Sequence, residues 1–183
     1  MTDIFDVANS AHAELERLKL PHVFIGGVAL QAWGEPRLTR DVDISVWAPF
    51  GEEEPIVSQL LEAFRSRIAG ALPFAIQNRV LLCETEDGIG IDIGLAAFPF
   101  EKLALERAHL IELVKGCPLP CVSAEDLVVM KVFAGRPRDW EDVKSIIERQ
   151  GSRLQWDVID DSLPELLEAI GFPERFDQLA GLR

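Results

Sequence analysis

The segment from residue 22 to residue 48 restricts the fold more than any other part of this chain. HVFIGG is a short apolar strand broken by Gly26 and Gly27, and VALQAW reads as a helix starting directly after them. Past the polar stretch RLTR, DVDISVWA alternates polar and apolar residues strictly, the pattern of a half-buried strand. The chain must therefore build a sheet, with one helix entered through a turn that carries no side chains.

The remaining segments extend that plan. Residues 4 to 18 place Ile4, Val7, Ala8, Ala11, Leu15 and Leu18 at helical spacing, and Pro21 ends the element. A second amphipathic helix is predicted over residues 53 to 69 from Ile56, Leu60, Leu61, Phe64 and Ile68, with Glu52, Glu53 and Glu54 at its positive N-terminal end. NRVLLCET and IGIDIGLA flank the turn residues EDG and predict an antiparallel hairpin. From residue 101 helices dominate, with a short strand or loop near LIELV, and Ser123 is the expected N-cap of the helix in SAEDLVVMKVFAG. The fold class is α+β (α/β), a mixed sheet flanked by helices. One domain is expected over residues 1–183, sheet-rich from about 20 to 100 and helical from about 101 to 183.

Charge limits the partners. Thirty-one acidic against 18 basic residues give a formal net charge of -13, so the average surface repels phosphate backbones and no broad nucleic-acid surface is expected. A local basic pocket still suits a single triphosphate, because close contacts with desolvated groups outweigh a screened average field. Cys83, Cys117 and Cys121 form an odd set without a CxxC pair, which argues against a disulfide framework. With only His12, His22 and His109 in the chain, a zinc site needs ligands gathered from distant segments, and the thiols are expected to be idle in a reducing cytoplasm. The opening stretch MTDIFDVANSAHAELERL is amphipathic and acidic, so no signal peptide is expected, and no window approaches the roughly 20 apolar residues of a membrane span. A cytoplasmic location is the expectation.

The chemistry is carried by acids on strands. Asp41 and Asp43 are two apart, so their carboxylates share one strand face while Val42, Ile44 and Val46 share the other. Like charges held side by side favour a cation between them, and hard divalent ions choose carboxylate oxygens. A solvated polar face is the bland alternative for DxD alone. In IGIDIGLA, however, Asp92 is flanked on its own face only by Gly90 and Gly94, which leaves room for a ligand against the backbone. Gly26 and Gly27 supply a helix N-terminus suited to phosphate, although neither the dinucleotide fingerprint nor a GK[ST] loop is present. Arg37 and Thr39, with Arg40, stand just before the acid pair, either to grip phosphate or to offset Asp41 and Asp43. Lys131 is a lone cation in the apolar run VVMKVFAG, either snorkelling to solvent or set against a triphosphate.

Taken in order, IGGVALQAWGEPRLTRDVDISV resembles the signature of the DNA polymerase beta-like nucleotidyltransferases, and is most similar to their AbiEii-type toxin branch. The run Arg37, Thr39, Asp41, the strand acid Asp92 followed by Phe100 and Glu101, and SAEDLVVMKVFAGRPRDWEDV carry the likeness. The resemblance implies transfer of a nucleotidyl group from an NTP, with Asp41, Asp43 and Asp92 as catalytic acids and ligands of Mg²⁺ or Mn²⁺. It implies Gly26, Gly27, Arg37, Thr39 and Lys131 as nucleotide-binding residues, with Asp139 or Asp142 as a further acid. Two such ions, roughly 3.5–4 Å apart, activate the attacking hydroxyl and stabilise the leaving oxygen. The implied acceptor is tRNA or protein, with a small molecule such as an antibiotic as the alternative, and the implied partner is a cognate antitoxin. A catalytically silent nucleotide-binding module is the other alternative.

Overall fold

Asp3 starts the first helix by accepting the N–H of Phe5 at 3.2 Å. The computed structural model describes residues 3–183. In chain order the elements are α1 (Ile4–Leu18), β1 (His22–Phe24), α2 (Gly26–Trp33), β2 (Asp41–Trp47), α3 (Glu53–Ala63), α4 (Ala71–Asn78), β3 (Val80–Glu84), β4 (Gly90–Ala96), α5 (Pro99–Glu106), β5 (His109–Val114), β6 (Cys117–Cys121), α6 (Ala124–Ala134), α7 (Pro137–Gln150), α8 (Trp156–Ile170) and α9 (Glu174–Ala180). They form two compact units, one running up to Val28 and over Leu38–Val122, the other over Ala29–Arg37 and Ser123–Arg183. The division falls inside α2.

The first unit holds a six-stranded mixed sheet in the order β3-β4-β2-β1-β6-β5. At its centre β2 and β4 run parallel, with Val42 opposite Ile91, Ile44 opposite Ile93 and Val46 opposite Leu95. All six of these side chains are buried, and burying each contributes about 1.5–3 kcal/mol before chain entropy is counted. A slip of one residue would turn that apolar set toward solvent, so the register is strongly specified. The hairpin β3–β4 pairs antiparallel as expected, with Leu82 opposite Asp92. Helix α1 buries Val7, Ala8, Ala11 and Leu15, the stripe its spacing predicts.

Arg79 fastens one end of this arrangement. It is one of two described residues other than glycine in the left-handed region, at φ 54°. That conformation costs a residue with a Cβ about 1–2 kcal/mol. It lets the guanidinium donate to the carbonyl oxygens of Ala48 at 2.6 Å and Leu95 at 2.7 Å, and to Glu53 at 2.6 Å.

The second unit is helical. Helix α6 is apolar on nearly every side, with Leu127, Val128, Val129 and Val132 buried, as befits a helix surrounded by others. It packs against α7, α8 and α9, whose Val143, Ile146, Ile159, Leu163, Leu167 and Leu179 are fully buried. Ser123 caps α6 as expected, its hydroxyl accepting the Asp126 N–H at 3.0 Å and donating to the Asp126 carboxylate at 2.7 Å.

Two expectations are corrected. The helix predicted to residue 69 stops at Ala63, because Phe64 is extended and Arg65 and Arg67 exchange backbone hydrogen bonds with Glu84 and Leu82 of β3. A separate helix, α4, follows Gly70, whose φ of 67° marks the turn. The sheet does not end near residue 100: β5 and β6 add a hairpin, although CPLPC places Pro118 and Pro120 in a strand, where proline is usually excluded.

Candidate active site

The pairing of β2 with β4 sets the site. Asp43 lies directly opposite Asp92, Asp41 opposite Gly90 and Ser45 opposite Gly94. Because partners in a parallel register share a face, the three carboxylates lie on one side of the sheet and the buried valine, isoleucine and leucine side chains on the other. Asp41 is exposed, and Asp43 and Asp92 are half-buried.

Two of the acids, Asp43 and Asp41, are seated against glycines. Gly26, at φ 56°, turns the chain from β1 into α2, and a Cβ there would overlap the Asp43 carboxylate. Ile25 N–H donates to the Asp43 carbonyl at 3.0 Å, and Gly27 N–H donates to Asp43 Oδ2 at 3.4 Å. A Cβ on Gly27 would collide with Thr39, whose hydroxyl donates to the Asp41 carbonyl at 3.1 Å. A Cβ on Gly90 would come within 2.5 Å of Asp41 Oδ1 and 2.8 Å of Arg67 Nη1. The first turn of α2 contains no acid of its own, and of its leading amides, which have no partner within the helix, that of Gly27 is taken by Asp43.

Arg67 is the functional neighbour that sequence patterning missed. Its Nη2 stands 2.9 Å from Asp92 Oδ1, yet that oxygen is buried and receives no hydrogen bond among the described residues. The contact is an ion pair without hydrogen-bond alignment. A buried carboxylate oxygen in that condition is under-coordinated and suits a cation. The signal for Arg67 was the alternation of Arg65, Ser66 and Arg67 beside β3, hidden by the helical spacing of Phe64 and Ile68.

The structure thus brings Gly26, Gly27, Thr39, Asp41, Asp43 and Asp92 together in the first unit. Arg37 and Lys131 belong to the second. Arg37 donates twice to the Asp142 carboxylate, at 2.8 Å each. Lys131 is buried and donates to Asp142 at 2.7 Å and Asp139 at 3.1 Å; it neither snorkels nor faces solvent. Arg136 closes the cluster on Asp139 at 2.6 Å. Burial raises the pKa of both carboxyls, but the bonds from Arg37, Arg136 and Lys131 outweigh it and hold Asp139 and Asp142 below the ordinary range. Burial also pushes the Cys83 and Cys121 thiols up to about 12, as expected of idle groups.

The family described as "Nucleotidyl transferase AbiEii toxin, Type IV TA system" matches residues 10–178. No curated protein matches the sequence significantly. Among solved structures, the antibiotic-resistance factor ANT(2'')-Ia in solution is similar with a TM-score of 0.53 at 20% identity, over 98% of this chain and 97% of that one. The same factor in a crystal complex with adenylyl-2''-tobramycin is similar with a TM-score of 0.53, over 96% of this chain and 99% of that one. An antigenic nucleotidyltransferase-like protein from Paracoccidioides brasiliensis reaches 0.52 at 17% identity, over 96% of this chain and 90% of that one. The fold is that of the polymerase beta-like nucleotidyltransferases, and the chain belongs to the AbiEii family and is a nucleotidyltransferase.

Proposed function

We propose that this AbiEii-family chain transfers a nucleotidyl group from a nucleoside triphosphate to an acceptor hydroxyl on tRNA or protein, as the toxin of a toxin–antitoxin pair. The observation that carries the reading is the register of β2 and β4, which sets Asp43 beside Asp92 with Asp41 on the same face. The donor set suits a hard divalent cation: three carboxylates share one face of the sheet, and Asp92 offers a buried oxygen without a hydrogen bond among the described residues. Mg²⁺ or Mn²⁺ held there supplies Lewis acidity to a phosphoryl oxygen and lowers the pKa of a bound hydroxyl.

The chain's own residues do the positioning. Asp41, Asp43 and Asp92 hold the charge in place, and Asp92 is the acid placed to accept the hydroxyl proton. Gly26 and Gly27 present the N-terminal end of α2 to phosphate oxygens, and Thr39 orients them. Arg67, paired with Asp92, balances the acid patch until a cation arrives. Arg37 and Lys131 are held within the second unit by Asp142. Such chemistry depends chiefly on orientation and on charges already in place.

Incubation with each labelled NTP, Mg²⁺ and total cell extract tests the proposal. Label is expected in an RNA or protein band, lost by more than about a hundredfold in Asp43→Asn, the scale on which a preorganised charge contributes to catalysis. Label confined to small molecules removes the acceptor assignment. Equal labelling by wild type and Asp43→Asn removes the site.

A further inference from the structure

We propose that His12, Glu16 and His22 form a binding site for a transition-metal ion of the zinc type, separate from the aspartate cluster. Among the described residues these three each place one ligand atom within 4.8 Å of the others. His12 and Glu16 are four apart on α1 and share a face of that helix. Lys19, left-handed at φ 57°, ends α1 and turns the chain so that His22, the first residue of β1, meets them.

His12 Nδ1 and His22 Nε2 stand 2.8 Å apart. A tetrahedral ion with bonds of about 2.0–2.1 Å holds two ring nitrogens roughly 3.3 Å apart, so the pair needs to open by about half an ångström. Rotation of the partly exposed His12 supplies that. His22 is the fixed member: it is buried, and its Nδ1 lies 2.8 Å from the Leu20 carbonyl. A carbonyl only accepts, so Nδ1 carries the proton and Nε2 presents its lone pair, the arrangement in which a hydrogen bond at one ring nitrogen aims the other at a metal.

The donor set selects the ion. Imidazole nitrogen suits zinc, cobalt, nickel and copper, whereas magnesium and calcium take oxygen ligands. Two imidazoles and a carboxylate also leave one tetrahedral position vacant. A cavity of about 640 Å³ lies against the same three residues, walled also by Trp47, Lys102 and Glu106, so that fourth position has space for water or a small anion. Sequence spacing concealed the site because its ligands come from a helix and from the strand that follows it.

Titration of the full chain with Co²⁺, followed by visible absorption, tests the assignment. Tetrahedral nitrogen-ligated cobalt absorbs intensely in the visible range, and six-coordinate oxygen-ligated cobalt weakly. The intense band is expected at one equivalent, is expected to persist in excess Mg²⁺ and in Asp43→Asn, and is expected to disappear when Zn²⁺ is added. His12→Gln and Glu16→Gln are each expected to weaken Co²⁺ binding at least about tenfold, the least that loss of even a supporting partner costs. Circular dichroism without metal checks that both variants remain folded. Absence of the intense band from wild type, its displacement by Mg²⁺, or undiminished affinity in either folded variant overturns the proposal.

Discussion

Two groups of acids occupy the two units, and they are treated in opposite ways. In the second unit Asp139 and Asp142 are buried, and three basic side chains satisfy them: Lys131, Arg37 and Arg136. In the first unit Asp41, Asp43 and Asp92 sit closer to solvent, with Arg67 as the cation against Asp92 and one buried carboxylate oxygen left without a hydrogen bond. The saturated cluster is an internal strut. The other cluster is the proposed site, where clustered carboxylates favour an added cation.

Breaking the strut has the largest expected effect. Lys131→Met leaves two carboxylates buried without their shared cation and is expected to cost about 3–5 kcal/mol in chemical denaturation of the full chain. A loss below about 1 kcal/mol, the range of surface pairs, together with weakened triphosphate binding, would instead assign Lys131 to the nucleotide.

Asp92→Asn sharpens the other side. Mn²⁺ affinity is expected to fall by about tenfold, or ~1.4 kcal/mol, while stability in metal-free buffer stays level or rises as like charges are relieved. Asp87→Asn in the neighbouring turn makes the same change in net charge without touching the cluster. Equal Mn²⁺ affinities in the two variants would make Asp92 structural.

Acid pH separates the clusters by a smaller margin. Asp139 and Asp142 have folded pKa values depressed below the ordinary 3.8, so below that point the unfolded chain binds more protons than the folded one. Their contribution is complete above about pH 5 and is lost as pH falls through 3.8 toward the folded values. Thermal melts of wild type are expected to show this loss, and melts of Lys131→Met to show less of it. Arg136→Ala has the smallest expected effect, under about 1 kcal/mol, because its side chain is 73% exposed; a larger loss in denaturation would show that this exposed member carries as much of the strut as its buried partners.

Strict alternation made β2 and the β3–β4 hairpin legible, since period two survives any tertiary context, and with them the shared face of Asp41, Asp43 and Asp92. Gly26 and Gly27 read as a turn suited to phosphate, and the groups seated against them are Asp43 and Thr39. What patterning did not reveal depends on contacts between distant segments. Lys131 reads as a lone cation in an apolar run because its partners lie on α7, eight and eleven positions away. Arg67 was absorbed into a helical spacing that the edge of β3 overrode. The prolines of β6 masked a strand that pairs with β1 at Phe24 and Cys121.

Arg79 gains a further meaning from the aspartates. It grips the carbonyls of Ala48, just past β2, and of Leu95, near the end of β4, at the end of the strands remote from Asp43 and Asp92. Asp43 and Ala48 are five residues apart, roughly 16 Å of extended chain. One side chain therefore indexes two strands against each other at a distance, as a registration mark aligns two printing plates. The alignment it guards is one in which a single step of misregistration would carry a carboxylate through the sheet to the wrong face.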